Sequence, residues 1–149
     1  MNNIETSVAE KFSDWVHNLN ISDIPEEVVN KLQLIIIDTF GLMVSAKNEP
    51  YIKSLINALQ EHGNCTLVGH NKKVNPFNAS IINGTAIHGE DFDDTFEGTP
   101  VHIGSVMVPA ILSSAQAKNL DGKKFLKGLV VGSELILSLI HISEPTRPF

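Results

Sequence analysis

The chain has 149 residues, 42% of them hydrophobic and 19% charged, with a formal net charge of −6. These proportions are those of ordinary globular protein with a sizeable core, and the acidic balance argues against binding to nucleic acid or to an anionic membrane. The single cysteine, Cys65, excludes an internal disulfide framework and suits a reducing cytosol.

In chain order the sequence predicts a succession of helices. Val8, Phe12, Trp15, Val16 and Leu19 repeat at helical spacing in a first helix that Thr6 or Ser7 can cap. Met1 to Glu5 lack the basic start and apolar core of a signal peptide. Pro25 opens a second helix, whose block Leu34-Ile35-Ile36-Ile37 is apolar on every side and is expected at the centre of the core. Asp38 beside it is read as a hydrogen-bonded structural carboxylate. The most apolar stretch, Leu32 to Ala46, is broken by Gln33 and Asp38 and falls short of the ~20 residues a bilayer requires, so no membrane span is expected.

Pro50 starts a third helix, expected to end near His62-Gly63. Cys65 to Val68 is the strongest strand candidate, and Cys65, with no adjacent base, reads as a buried structural thiol. Lys72-Lys73 reads as a solvated turn. A helix from Pro76 leads into the segment 83–104. A further helix, Val106 to Lys118, carries Pro109 in its first turn, and Asp121 caps a last helix from Gly122. The expected architecture is mainly α, in one incomplete domain.

The segment Asn83 to Gly104 gathers Glu90, Asp91, Asp93, Asp94, Glu97, His88 and His102 between two apolar helices. Placing so many ionisable groups there carries a desolvation penalty unless they have a chemical use, and the segment reads as half of an active site. If the helix continues to Thr95, then His88, Asp91 and Thr95 share one face, Asp94 lies close beside Asp91, and Asp93 points away toward solvent or the next turn. Gly98 and Pro100 then break the helix, and the loop folds His102 back over that face.

Three other readings attach to the same residues. As a calcium loop, Asp91-x-Asp93-x-Thr95 fails where Phe96 replaces the required glycine and His102 the bidentate glutamate. As a metal-dependent hydrolase site, His88, Asp91, Asp94 and His102 offer a mixed nitrogen and oxygen shell at a spacing unlike standard zinc patterns. As a purely structural acidic helix end, the carboxylates oppose the helix dipole. A non-catalytic helical binding or dimerisation module is the further alternative.

The wording of this segment, together with Ile24 to Ala46 and Gly63 to His88, resembles the MmgE/PrpD family over nearly all of residues 5 to 136. That family includes 2-methylcitrate dehydratase, cis-aconitate decarboxylase and related lyases and epimerases of small polycarboxylic acids. One departure is Ile103, where the family usually carries proline after the second histidine. The resemblance implies the N-terminal part of a helical domain. It places Asp91 and His102 in catalytic roles and Thr95, His88 and Asp94 at the substrate. It implies no metal or organic cofactor, and a cytosolic homodimer when the protein is complete, with neither nucleic acid nor membrane as partner. The implied chemistry is elimination or decarboxylation next to a carboxylate, with His102 as the acid or base, Asp91 orienting it and Thr95 bonding the substrate.

The sequence 137–149 resembles the conceptual translation of a DNA-sequencing adaptor. Its Arg147 is the only arginine, against ten lysines in residues 1–136. Residues 1–136 are therefore read as a partial domain and 137–149 as a non-native tail. Two expectations follow. The acidic motif lacks cations nearer in sequence than Lys72 and Lys118, so this chain alone is expected to be inactive on anionic substrates. Faces such as Ile111-Leu112 and Leu126-Leu129-Val130 are expected to be left uncovered and to drive self-association.

Overall fold

The computed structural model describes residues 6–59, 61–97 and 100–143, with side chains through 138. Six helices dominate: α1 (Val8–Asn18), α2 (Glu26–Ser45), α3 (Pro50–Ala58), α4 (Pro76–His88), α5 (Ile103–Ala117) and α6 (Gly122–Ser143). Between α3 and α4 lies a small antiparallel pair, β1 (His62–Thr66) and β2 (Lys73–Val74), with an irregularity between His62 and Cys65. The mainly α architecture is as the sequence predicts. The tail beyond Ser143, with Arg147, lies outside the described residues, as do Met1 to Glu5.

Helix starts follow local chemistry. The Ser7 hydroxyl accepts from Glu10 N while the Glu10 carboxylate accepts from Ser7 N, closing a capping box on α1. Asn75 caps α4 through Asn78 N at 2.8 Å, with Pro76 at its first position. Asp121 caps α6 through Lys124 N at 2.9 Å.

Two apolar clusters form the core. Met43, Ile52, Cys65, Leu67, Val74, Ile82 and Ile87 pack where α2, α3 and α4 meet the β pair. Ile24, Leu32, Met107, Val108, Leu129 and Val130 pack where α2, α5 and α6 meet. The Cys65 thiol is fully buried, donates toward Ser113 O at 3.3 Å and is pushed up in pKa by burial, as befits a structural thiol.

Several expectations are corrected. Leu34 and Ile37 are 62% and 69% exposed, so the apolar block of α2 is only half internal, and α4, α5 and α6 cover one side of it. By contrast Leu129 and Val130 are buried, with Ile111 and Leu126 packed on the same cluster, so those faces of α5 and α6 are covered, and the exposed apolar side chains among the described residues include Leu34 and Ile37 on α2, Phe77 on α4, Val106 on α5 and Leu135 on α6. Helix α3 ends at Ala58, and His62-Gly63 belong to β1, where backbone pairing with β2 overrides the helical reading. Residues 62–66 form the strand, so the expected run shifts toward the N-terminus, and Lys73 joins β2 instead of a turn. Helix α5 starts at Ile103, so Pro109 falls in its second turn. Helix α2 with the 3-10 turn after it, Glu26–Asn48, is long and apolar enough to cross a membrane by length and composition, a test that the central helix of a globular domain also passes.

Candidate active site

The site forms where α4 ends and α5 begins. Helix α4 stops at His88, capped by Gly89, and does not run on to Thr95 as the sequence suggested. The chain turns out of the helix with Asp91 at φ +56°, a left-handed conformation that Asp tolerates better than most residues. His102 is the N-cap residue of α5, and its carbonyl accepts from the Ser105 hydroxyl at 3.1 Å. Two histidines from the facing ends of consecutive helices thus meet, ring centroids 4.8 Å apart and edge-on.

Asp93 lies between them. Its carboxylate is completely buried and accepts from His88 Nδ1, which stands 3.1 and 3.2 Å from its two oxygens. The same Asp93 Oδ1 is 3.2 Å from His102 Nδ1, which is buried but has no hydrogen bond of acceptable alignment. On the other side of that ring, His102 Nε2 is 3.9 Å from the Asp91 carboxylate, which is 80% exposed. The helical reading points Asp93 away from the site, toward solvent or the next turn. Because the helix has already ended, its side chain turns inward, and burying a carboxylate is tolerable with two imidazoles beside it.

Asp94, which the family resemblance places at the substrate, makes a structural contact in this chain. Its Oδ1 accepts from Gly104 N at 2.9 Å, satisfying a free N–H in the first turn of α5. Burial holds the Asp94 carboxyl above its ordinary range, and the charges of Asp93 and Asp38 raise it further, while the Gly104 N–H and His102 pull it down. Asp38 on α2, remote in sequence, is thereby within electrostatic reach of the site. Thr95 stands exposed on the loop and shares no helical face with His88 or Asp91. Of the four residues expected on one wall, the structure brings together His88, Asp91 and His102.

The loop is fastened at both ends. Tyr51 Oη donates to Glu90 Oε1 at 2.8 Å, and its hydroxyl is pushed up to about 12 by burial and then by that carboxylate. Phe96 N donates to Val101 O at 2.9 Å, closing the return to α5. Gly98, invoked as the helix breaker, lies outside the described residues, as does Thr99. Beside His88, a pocket of about 320 Å3 opens between the helices, lined by Gly84, Thr85, His88, Gly89, Ser105 and Val106. Sequence reasoning missed Asp93, Tyr51 and the Thr39 methyl that backs Gly104. Only Asp93 carried a signal, as the central acid of the motif.

The MmgE/PrpD N-terminal domain profile matches residues 10–147, and the chain belongs to that family. It is 29% identical over 140 residues to a cis-aconitate decarboxylase-like protein of Aspergillus oryzae, covering 87% of this chain and 29% of that protein. It is 24% identical to cis-aconitate decarboxylase of Aspergillus terreus, covering 89% and 29%, and 26% identical to that of Mus musculus, covering 95% and 30%. The chain therefore spans about three-tenths of the length of these relatives.

Proposed function

We propose that the chain is the N-terminal part of a cofactor-independent lyase acting on a small di- or tricarboxylic acid, either a decarboxylase of the cis-aconitate type or a dehydratase of the 2-methylcitrate type. Family membership supports the reaction class. The observation that carries the reading is the placement of His102 between Asp93 and Asp91, at a helix N-terminus and on an open loop.

In this reading His102 exchanges a proton with the substrate carbon or with the departing hydroxyl, since an imidazole ordinarily titrates near neutrality. Asp91, across from Nε2, orients the ring and balances its charge when it is protonated. His88, anchored by Asp93, lines the adjoining pocket, and Thr95 on the loop bonds the substrate. Asp94 takes a supporting role, holding the first turn of α5 and with it His102. The carboxylates here repel an anionic substrate, so the complete protein supplies cations from beyond this stretch. We propose further that the complete protein is a cytosolic homodimer. A net charge of −6 supports the absence of nucleic-acid partners.

The test is the complete protein, treated with a chelator, assayed against cis-aconitate and 2-methylcitrate with products read by proton NMR. One substrate is expected to turn over without added metal. His102→Gln is expected to lower kcat by about 10²–10⁴, the usual contribution of a positioned acid or base. Turnover unchanged in His102→Gln would remove that residue from the chemistry, and absence of turnover on both acids would remove the reading.

A further inference from the structure

The site has a property that proton transfer does not use. One ligand atom from each of His88, Asp91, Asp93 and His102 lies within 4.8 Å of the other three. We propose that this cluster is a binding site for a zinc-class divalent ion, and that the ion excludes substrate and so inhibits the enzyme. Metal binding stands on the geometry alone, whereas inhibition rests on the lyase reading.

Distances come first. Ligand bonds of about 2.0–2.1 Å in a tetrahedral shell set neighbouring ligand atoms about 3.3 Å apart. Asp93 Oδ1 already stands 3.1 Å from His88 Nδ1 and 3.2 Å from His102 Nδ1, so three ligands are nearly in place. Asp91, whose carboxylate lies nearer Nε2 of His102 than the Nδ1 that faces Asp93, starts within 4.8 Å of the other ligand atoms and must approach by up to about 1.5 Å. Its side chain is 80% exposed on a loop outside any helix, so that movement disturbs no core packing.

The state of His102 Nδ1 is the second, independent observation. It is buried and close to a carboxylate oxygen, yet forms no aligned hydrogen bond. A buried polar atom in that condition carries an uncompensated desolvation penalty. A metal ion lying between the nitrogen and the carboxylate removes it, because the nitrogen then presents a lone pair instead of an N–H.

Charge and ligand type decide which ion. Among the described residues the buried Asp93 carboxylate pairs only with the two imidazoles, which leaves two negative charges in the cluster when both are neutral. Two imidazoles with carboxylates suit zinc, copper or nickel, whereas magnesium and calcium prefer all-oxygen shells. Such an ion fixes the His102 ring and draws in the Asp91 carboxylate, the two groups that the proposed proton transfer uses. Inhibition by zinc and independence from metal are therefore compatible in one site.

The test uses this chain, metal-stripped, titrated with zinc chloride by calorimetry and by imidazole ¹⁵N shifts, with magnesium chloride as comparison. One zinc per chain is expected, with both His88 and His102 resonances perturbed and no response to magnesium. His88→Ala and Asp93→Asn are each expected to weaken binding about tenfold or more, while His17→Ala on α1 leaves it unchanged. Because Asp93 is buried, circular dichroism accompanies that variant, and the exposed His88→Ala carries the decision if Asp93→Asn unfolds. Zinc binding that survives His88→Ala, or no saturable binding, overturns the metal site. In the complete protein, zinc should raise the apparent KM and a chelator should reverse the effect. Binding to the chain without inhibition of an active enzyme overturns the exclusion, and binding together with an inactive complete protein leaves the site and removes only the lyase reading.

Discussion

Replacing Gly104 by alanine tests how His102 is held. Gly104 is the second residue of α5, where alanine should be favoured over glycine by up to about 1 kcal/mol if space allowed. Space does not allow it. The added Cβ would overlap Asp94 Oδ1 and stand 3.2 Å from Asp94 Cγ and 3.0 Å from Thr39 Cγ2. Thr39 is fully buried, with its hydroxyl donated back to Ile35 O at 2.8 Å, so it yields little. Asp94 must rotate away, and the bond to Gly104 N is lost. A hydrogen bond to a charged acceptor is worth about 1.5–3 kcal/mol, so the net expectation is a loss of about 0.5–2 kcal/mol after the propensity gain. The decisive measurement is a double-mutant cycle by urea unfolding. In the Asp94→Ala background the obstructing carboxylate is gone and only the Thr39 methyl contact remains, so Gly104→Ala should cost clearly less than in the parent. Equal costs in both backgrounds would show that Asp94 does not brace this turn.

Three other outcomes follow from particular contacts. Asn83, buried in α4, accepts from Val68 N at 3.1 Å and donates to Thr66 O at 3.0 Å, so Asn83→Ala should lower stability by about 2–4 kcal/mol, two buried groups being left unpaired; a change under about 0.5 kcal/mol in urea unfolding would contradict this. The Asp94 carboxyl is raised in the folded state, so the stability tied to its proton is present below its ordinary pKa near 4 and declines as pH rises through the folded value. Asp94→Asn should flatten that decline, and parallel stability curves for the two proteins would refute it. The open apolar stripe on α2 should drive self-association, so Leu34→Lys with Ile37→Glu should shift sedimentation toward monomer while leaving the melting temperature nearly unchanged; association unaltered by both charges would place the sticky surface elsewhere.

Much of the helical outline is legible because starts and stops are written locally. Ser7, Pro25, Pro50, Pro76 and Asp121 each mark a start by side-chain capping or by a fixed φ. The site was legible in composition but not in shape. Residues 89–95 match a helical spacing by chance, and the signal against it was their charge. Acids crowded at a helix C-terminus oppose the dipole, so the helix ends before them and the carboxylates are free to turn inward. Asp93 goes from the outer face of an imagined helix to the buried centre for that reason alone. The burial of α2 was illegible for another reason: apolar residues on all sides indicate that every side can be covered, and do not say which sides this stretch of chain covers.

The position of the histidines is finally a property of the seam between α4 and α5. Pro109 has no N–H for the carbonyl four residues back, so Ser105 O is released from the helix ladder. That carbonyl turns toward Gly84, where a Cβ would stand only 3.0 Å from it and 3.4 Å from Pro109 Cγ, so glycine is needed for the helices to approach this closely. One turn earlier in α4, Ser80 Oγ donates to Ser113 Oγ at 3.0 Å and lies 3.4 Å from Pro109 O. The pairing is antiparallel: each turn forward along α4 meets a turn backward along α5, from Ser80 beside Pro109 to Gly84 beside Ser105. One turn further brings the end of α4 opposite the start of α5, which is where His88 and His102 stand. The two imidazoles therefore meet because the seam is in register, and the intervening loop has only to place Asp93 between them.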